Sequence, residues 1–482
     1  MKLMKKLTAL LLTLVMILGM GSVVHASETT TGTGKITINN AISGQTYRIY
    51  RILELESYTE GGNYAYKATD AWKEFFANGE GKNYLTIDGS GVVTSSTELT
   101  TENAAAFAKA ALAYAKENNI ENNGKADATG TPVTFDRLPL GYYLVDSSTG
   151  ALCSLKTTTG AVEILEKNGV PSVTKTVDNV NANTANIGQT VTFTTTITAQ
   201  PGAEKYVLHD QMSQGLTFDD TTVNVKKGET TLGATEYTLK KDELADTCTF
   251  EIVFAQSFCN TLTAEDTITV TYTAKLNEKA VIAGAGNTNT TKLSYGDNRN
   301  TNVATTTTKT FELPVYKFTK GTTNTQAALP GVKFTLRENE NGTDPIKLVK
   351  IRDAAADDLN SADVYRHAKD GETTGIFTEV TTPATGRFTI QGLKAGTYYL
   401  TETDTVRGYN KLTDPVTVVI DEDGNVRVGG TETQPVEIVE IENKTGSLLP
   451  STGGRGTMAF YIVGALLVLG SGVVLITKKR MR

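Results

Sequence analysis

The chain has 482 residues, with 46 Lys and Arg against 53 Asp and Glu, three Cys and three His. Eight of the basic residues and none of the acidic ones lie in residues 1–26 and 453–482, so the part between holds 38 basic against 53 acidic, which argues against nucleic acid and anionic membrane surfaces as partners. Cys153, Cys248 and Cys259 are too few, and odd in number, for a disulfide framework; no histidine stands among cysteines or carboxylates at metal-ligand spacing, so neither metal nor cofactor is expected.

The start carries Lys2, Lys5 and Lys6, then an apolar run from Leu7 to Val24 that closes on Val24-His25-Ala26. A basic start, an apolar middle and small residues before the cut describe a secretory signal peptide, residues 1–26, with a short membrane anchor as the other reading. Roughly 425 residues follow, enough for about three domains. Their Thr, Val and Gly content and short alternating runs between Gly, Asn and Asp read as mainly β, three tandem sandwiches at 27–166, 167–310 and 311–446. One helix is expected inside the first, from Glu102 to Asn118, where Phe107, Leu112, Tyr114 and the alanines make an apolar stripe that buttresses the domain.

Thr134–Leu138 leading to Gly141-Tyr142-Tyr143-Leu144-Val145-Asp146 repeats as Thr389–Leu393 leading to Gly396-Thr397-Tyr398-Tyr399-Leu400-Thr401-Glu402 with one residue of slip, so domains one and three read as versions of one module. Alternate residues of a strand share a face, and this assigns polar side chains to apolar faces in two domains. In the middle domain Lys175 shares a face with Val173 and Val177, Asp210 with Tyr206, Leu208 and Met212, and Asn289 with Thr291, Leu293 and Tyr295; Asn287 has the same parity as Asn289. In the third, Lys317 lies with Phe311, Leu313 and Val315, Glu402 with Tyr398 and Leu400, and Asn443 with Val439 and Ile441. A buried amine loses its proton and becomes a nucleophile, and a buried carboxyl keeps its proton and serves as an acid. Glu402 is expected to donate to the Asn443 carboxamide oxygen as Lys317 attacks. In domain one Ile36 and Ile38 face one way and Lys35 the other, so Asp146 has no such amine partner.

At the C-terminus Leu449-Pro450-Ser451-Thr452-Gly453 precedes 20 apolar residues, 458–477, and the basic tail 478–482. As a helix at about 1.5 Å per residue those 20 residues reach about 30 Å, one bilayer core, and the basic cluster keeps the tail inside. A plain single-pass anchor is the simpler reading, but it leaves the pentapeptide unexplained.

The pentapeptide, span and tail resemble the cell-wall sorting signal read by sortases. The domains resemble the immunoglobulin-like, isopeptide-forming domains of collagen-adhesin type in Gram-positive backbone pilins. Tyr398–Tyr409 resembles that family's E-box, with Val406 where proline is usual, and Glu166-Lys167-Asn168 resembles its pilin motif, with Leu165 and Glu166 in place of the usual aromatic and proline. The resemblance implies a non-enzymatic subunit of a covalent homopolymer, anchored to peptidoglycan and displayed as a surface pilus that supports adhesion. It implies pilus-class and housekeeping sortases and minor pilins as partners. A sortase cysteine attacks the Thr452 carbonyl and passes the acyl group to Lys167, with Lys350 and other exposed lysines as substitutes. Self-formed amides are implied at Lys175–Asn289, with Asp210 as acid and Asn287 as the other acceptor, and at Lys317–Asn443, with Glu402 as acid. Domain one is expected to lack one and to be the most labile. A wall-anchored adhesin or tip subunit is the alternative function; a hydrolase lacks a G-x-S-x-G motif.

Overall fold

A computed structural model describes residues 33–446, apart from 59–63, 97, 101–102, 149, 155–160, 167–168, 322 and 432, together with 466–469 and 471. The signal peptide, the sorting motif, Lys167, Asn168 and most of the 458–477 span lie outside the described residues. Among the described residues no helix is long and apolar enough to cross a membrane. The chain divides into two compact units: one ends at Asn183 and resumes over Gln189–Lys309, and the other comprises Thr184–Gly188 and everything from Thr310 onward.

The first unit begins with a sandwich. Its smaller sheet orders Ala161–Leu165, Thr33–Asn39 and Val133–Pro139, and its larger one Tyr64–Ala68, Thr46–Tyr58, Gly141–Ser147 and Gly150–Ser154. Ile36, Ile38, Tyr47, Ile49, Phe135, Tyr143 and Val145 fill the space between them. Lys35 points out to an ion pair with Asp136, as the alternation requires. The far face of the larger sheet is covered by the helix Ala104–Glu117, where Phe107, Ala108, Ala111, Leu112 and Ala115 pack with Trp72, Phe75, Tyr142 and Leu144. Alanine at this spacing has high helix propensity and lets the helix lie close to the sheet. Gly141–Ser147 is therefore buried on both faces.

The middle sandwich of the same unit sets Ser172–Val177, Thr190–Thr198, Thr267–Leu276 and Leu216–Lys227 against a second sheet containing Ala304–Lys309, Asn287–Tyr295, Val207–Met212 and Phe250–Phe254 in that order. Asn287–Tyr295 is not the last strand of this sandwich; Ala304–Lys309 follows and pairs with it.

The second unit packs the sheet containing Phe311–Lys320, Arg387–Leu393 and Asp363–His367 against Lys333–Arg337, Gly396–Asp404 and Val416–Ile420. Its closing strand Val439–Glu442 runs parallel to Phe311–Lys320, just as Ala161–Leu165 runs parallel to Thr33–Asn39 in the first sandwich. The repeated module is therefore real in three dimensions, but the slip is not. Ile36 pairs with Phe135, and Leu313 with Ile390. The hydroxyl of Tyr143 donates to the Pro139 carbonyl at 2.7 Å, and that of Tyr398 to the Lys394 carbonyl at 2.8 Å. Those matches run without a gap through both strands, so the residue at the place of Glu402 is Ser147, and Asp146 faces the opposite side of the sheet.

Candidate functional site

Two polar clusters sit in the apolar interiors of the middle and third sandwiches, built from the residues that strand parity assigns there. In the third, Lys317 is 0% exposed, Glu402 2% and Asn443 1%. The parallel pairing of Lys317 with Ile441 brings Asn443, two residues on, beside the amine. Lys317 Nζ donates to Asn443 Oδ1 and, at 3.1 Å, to Glu402 Oε2. Asn443 Nδ2 donates to Glu402 Oε1 at 2.6 Å and to Thr405 Oγ1 at 2.7 Å. Glu402 thus faces the amide nitrogen rather than the amide oxygen expected from the sequence. Phe334 lies 5.5 Å below the amine and closes the site to water. Burial pulls the Lys317 pKa down, against the opposing pull of the Glu402 charge.

In the middle sandwich Lys175 is 5% exposed, and Asp210 and Asn289 are 0%. Lys175 Nζ donates to Asp210 Oδ2 at 2.6 Å, to the Tyr272 hydroxyl at 2.5 Å and to Thr195 Oγ1 at 3.2 Å. Tyr272 in turn donates to Asp210 Oδ2 at 2.6 Å and accepts from Asn289 Nδ2 at 2.9 Å. This hydroxyl links amine, acid and amide, and the sequence reading missed it; only its inward parity on Thr267–Leu276 hints at a role. Burial pushes Lys175 down and Asp210 up, so both groups move toward their neutral forms. Asp210 Oδ1 and Asn289 Oδ1 are buried without a hydrogen-bond partner. Asn287 turns elsewhere: its Nδ2 donates to the Val281 and Thr308 carbonyls, and its Oδ1 accepts from the Val281 N–H.

Domain one holds a different set at the matching place. Tyr47, cross-strand from Ser147, occupies the position of Phe334, and its hydroxyl interacts with Glu166 and Ser147 while accepting from the Ile42 N–H at 2.9 Å. Asp146, on the other face, takes Arg48 Nη1 at 3.0 Å, and the same Arg48 nitrogen reaches Asp297 at 3.0 Å. Burial raises the Asp146 carboxyl to about 6.

Sequence spacing shows no metal cluster, yet the fold gathers His209, Asp246 and Cys248 with their ligand atoms within 4.8 Å of one another. Cys248 and Cys259 are free thiols. Cys153's side chain lies outside the described residues.

Three family models match the chain: a Gram-positive pilin backbone subunit 2, Cna-B-like domain at residues 187–299, a prealbumin-like fold domain at 315–434 and an LPXTG cell wall anchor motif at 441–481. The fimbrial subunit type 1 of Actinomyces viscosus is 36% identical over 83 residues, which is 17% of this chain and spans 15% of the length of that relative. The T6 backbone pilin of serotype M6 Streptococcus pyogenes shares the fold at 17% identity and a TM-score of 0.51, over 82% of this chain and 81% of that one. Carrying a pilin-backbone domain, a prealbumin-like domain and an LPXTG anchor in that order on a chain of β-sandwiches, the protein is a cell-wall-anchored surface pilus protein whose domains are those of Gram-positive backbone pilins.

Proposed function

We propose that the chain is the shaft subunit of a covalently polymerised pilus, strengthened by two amides that it forms within itself. One observation carries this reading: in each of two sandwiches a fully enclosed lysine amine pairs with a buried acid, and a buried asparagine from a distant strand joins the same hydrogen-bonded cluster, directly in the third domain and through Tyr272 in the middle one. An ordinary ion pair gains little from such burial, because desolvating both charges offsets their attraction. A condensation site needs the burial, since it is what frees the lysine lone pair.

In the third domain Lys317 Nζ attacks Asn443 Cγ and forms the new C–N bond. The amine gives one proton to Glu402 Oε2, and Glu402 Oε1, already against Nδ2, returns one to the departing nitrogen. The Cγ–Nδ2 bond breaks, and ammonia leaves with the atoms in balance. In the middle domain Lys175 and Asn289 react in the same way. Asp210 moves the proton, and a proton on Asp210 supplies the donor that its own Oδ1 and Asn289 Oδ1 both lack. Force along the shaft then loads amide bonds instead of hydrogen bonds of ~1 kcal/mol net each.

Between subunits, a sortase joins Thr452 of one copy to Lys167 of the next, two residues beyond the end of the strand Ala161–Leu165. Peptidoglycan receives the terminal subunit, and minor pilins share the same chemistry. The domain bounds 27–166, 167–310 and 311–446 go with this reading. Wall extracts probed by immunoblot test the polymer. The native chain gives a ladder of high-mass species, Lys167→Arg abolishes it, and a Lys167→Arg strain that still shows the ladder refutes Lys167 as the linking amine. The intact mass of the exported chain should fall short by two ammonia molecules.

A further inference from the structure

We propose that the outer face of the middle domain carries a site for a divalent cation of the zinc class, ligated by His209, Asp246, Cys248 and Glu251. His209 stands on Val207–Met212 next to Asp210 but on the opposite face, so it plays no part in the buried cluster. Its direct neighbour on Phe250–Phe254 is Glu251, and the loop before that strand brings Asp246 and Cys248 over the ring.

The hydrogen bonding around the ring identifies the ligand nitrogen. Ser294 Oγ gives its single proton to Asn300 Oδ1 at 2.7 Å, so it accepts from His209 Nε2, 2.9 Å away. With Nε2 held by Ser294, Nδ1 is the ring nitrogen turned toward the carboxylates, the arrangement of a metal-bound histidine whose far nitrogen has a partner. Nδ1 is buried and makes no hydrogen bond. Even so, Asp246 Oδ2 lies 3.0 Å from it and Glu251 Oε1 3.1 Å. Two carboxylate oxygens converging on one ring nitrogen need positive charge among them, which a bound metal ion supplies in place of a ring proton.

Bond lengths of about 2.0–2.3 Å to N, O and S in a tetrahedral zinc site place neighbouring ligand atoms about 3.3–3.7 Å apart. The two nitrogen-to-oxygen spacings need to open by only a few tenths of an ångström, and the ligand atoms of His209, Asp246 and Cys248 already lie within 4.8 Å of one another. A thiolate and an imidazole select zinc, cobalt or their like over magnesium and calcium. Lys292, the cross-strand neighbour of His209 on its other side, offsets part of the anionic charge. The ion would pin the loop ahead of Phe250–Phe254 to the sheet, on the strand that positions Asp210. It would also give a free thiol in an exported chain a defined role.

Cobalt(II) titration of the purified, reduced full chain tests the proposal. Uptake of one equivalent, with tetrahedral visible bands and a thiolate-to-cobalt charge-transfer band, both erased by added Zn²⁺, is the expected result. Cys248→Ser should lose the charge-transfer band and His209→Ala the binding. Glu251→Gln, which keeps the strand's shape, should weaken uptake at least tenfold should His209→Ala fail to fold. No uptake at an excess of metal overturns the site. Uptake that all three variants leave unchanged does the same.

Discussion

Replacing Glu402 by alanine removes the one group that touches both partners of the proposed bond in the C-terminal domain, with Oε2 3.1 Å from Lys317 Nζ and Oε1 2.6 Å from Asn443 Nδ2. No other carboxylate ion-pairs with Lys317 among the described residues. The amine then has no route for its proton to the departing nitrogen, and Lys317 and Asn443 stay separate side chains 126 residues apart. A covalent link over a loop of that length removes unfolded-chain entropy equivalent to about 5 kcal/mol at 25 °C. For a domain of this size that corresponds to a melting temperature lower by ~15–25 °C. Intact mass and calorimetry on the purified protein read both effects. Glu402→Ala should regain the mass of one ammonia beyond that of the substitution, and one endotherm should drop. Lys317→Met, which forms no bond but keeps an apolar core, separates the loss of the amide from the loss of the carboxylate: its endotherm should fall by a similar amount. A Glu402→Ala protein that still lacks two ammonia molecules refutes the relay, and a native protein of unmodified mass refutes the bonds altogether.

Tyr272→Phe removes the hydroxyl that joins Lys175, Asp210 and Asn289, at a cost of about 1–3 kcal/mol before the bond forms. Refolding followed by mass spectrometry should show a slowed first-order loss of ammonia from the middle domain and an unchanged one from the third; equal rates in the native and variant proteins would argue against a role for the hydroxyl. Asp146, raised from 3.8 to about 6 mainly by burial, binds its proton more tightly folded than unfolded. Its contribution, up to about 3 kcal/mol, is fully present below the unfolded pKa and lost as pH rises through about 6. Urea midpoints of the first unit should fall over that window, and Asp146→Asn should flatten the slope; an Asn variant with the native slope assigns it elsewhere. Domain one, with Tyr47, Ser147 and Glu166 where the third domain has Phe334, Glu402 and Ile441, should form no internal amide and should be the first part cut when protease is added during heating. Earlier cleavage in the middle or third domain would contradict this.

The inward lysines, acids and asparagines were legible in the sequence because a strand repeats its faces every two residues, and a charged residue in phase with Leu313 and Val315 has nowhere else to point. The helix over 104–117, the exposed side of Lys35 and the C-terminal anchor motif follow from equally local patterns. Local periodicity says which face a side chain takes, but not what lies across from it. Aligning Tyr142-Tyr143 with Tyr398-Tyr399 assigned Asp146 the place of Glu402, whereas the ladder pairs and the tyrosine-to-carbonyl bonds give that place to Ser147. One residue of register turns every side chain over. Tyr272 entered the Lys175 cluster, Glu402 met the amide nitrogen of Asn443, and His209 met Asp246, Cys248 and Glu251, only once strands far apart in the chain had paired. Such neighbours are set by the packing of whole sheets, and no spacing along the sequence records them.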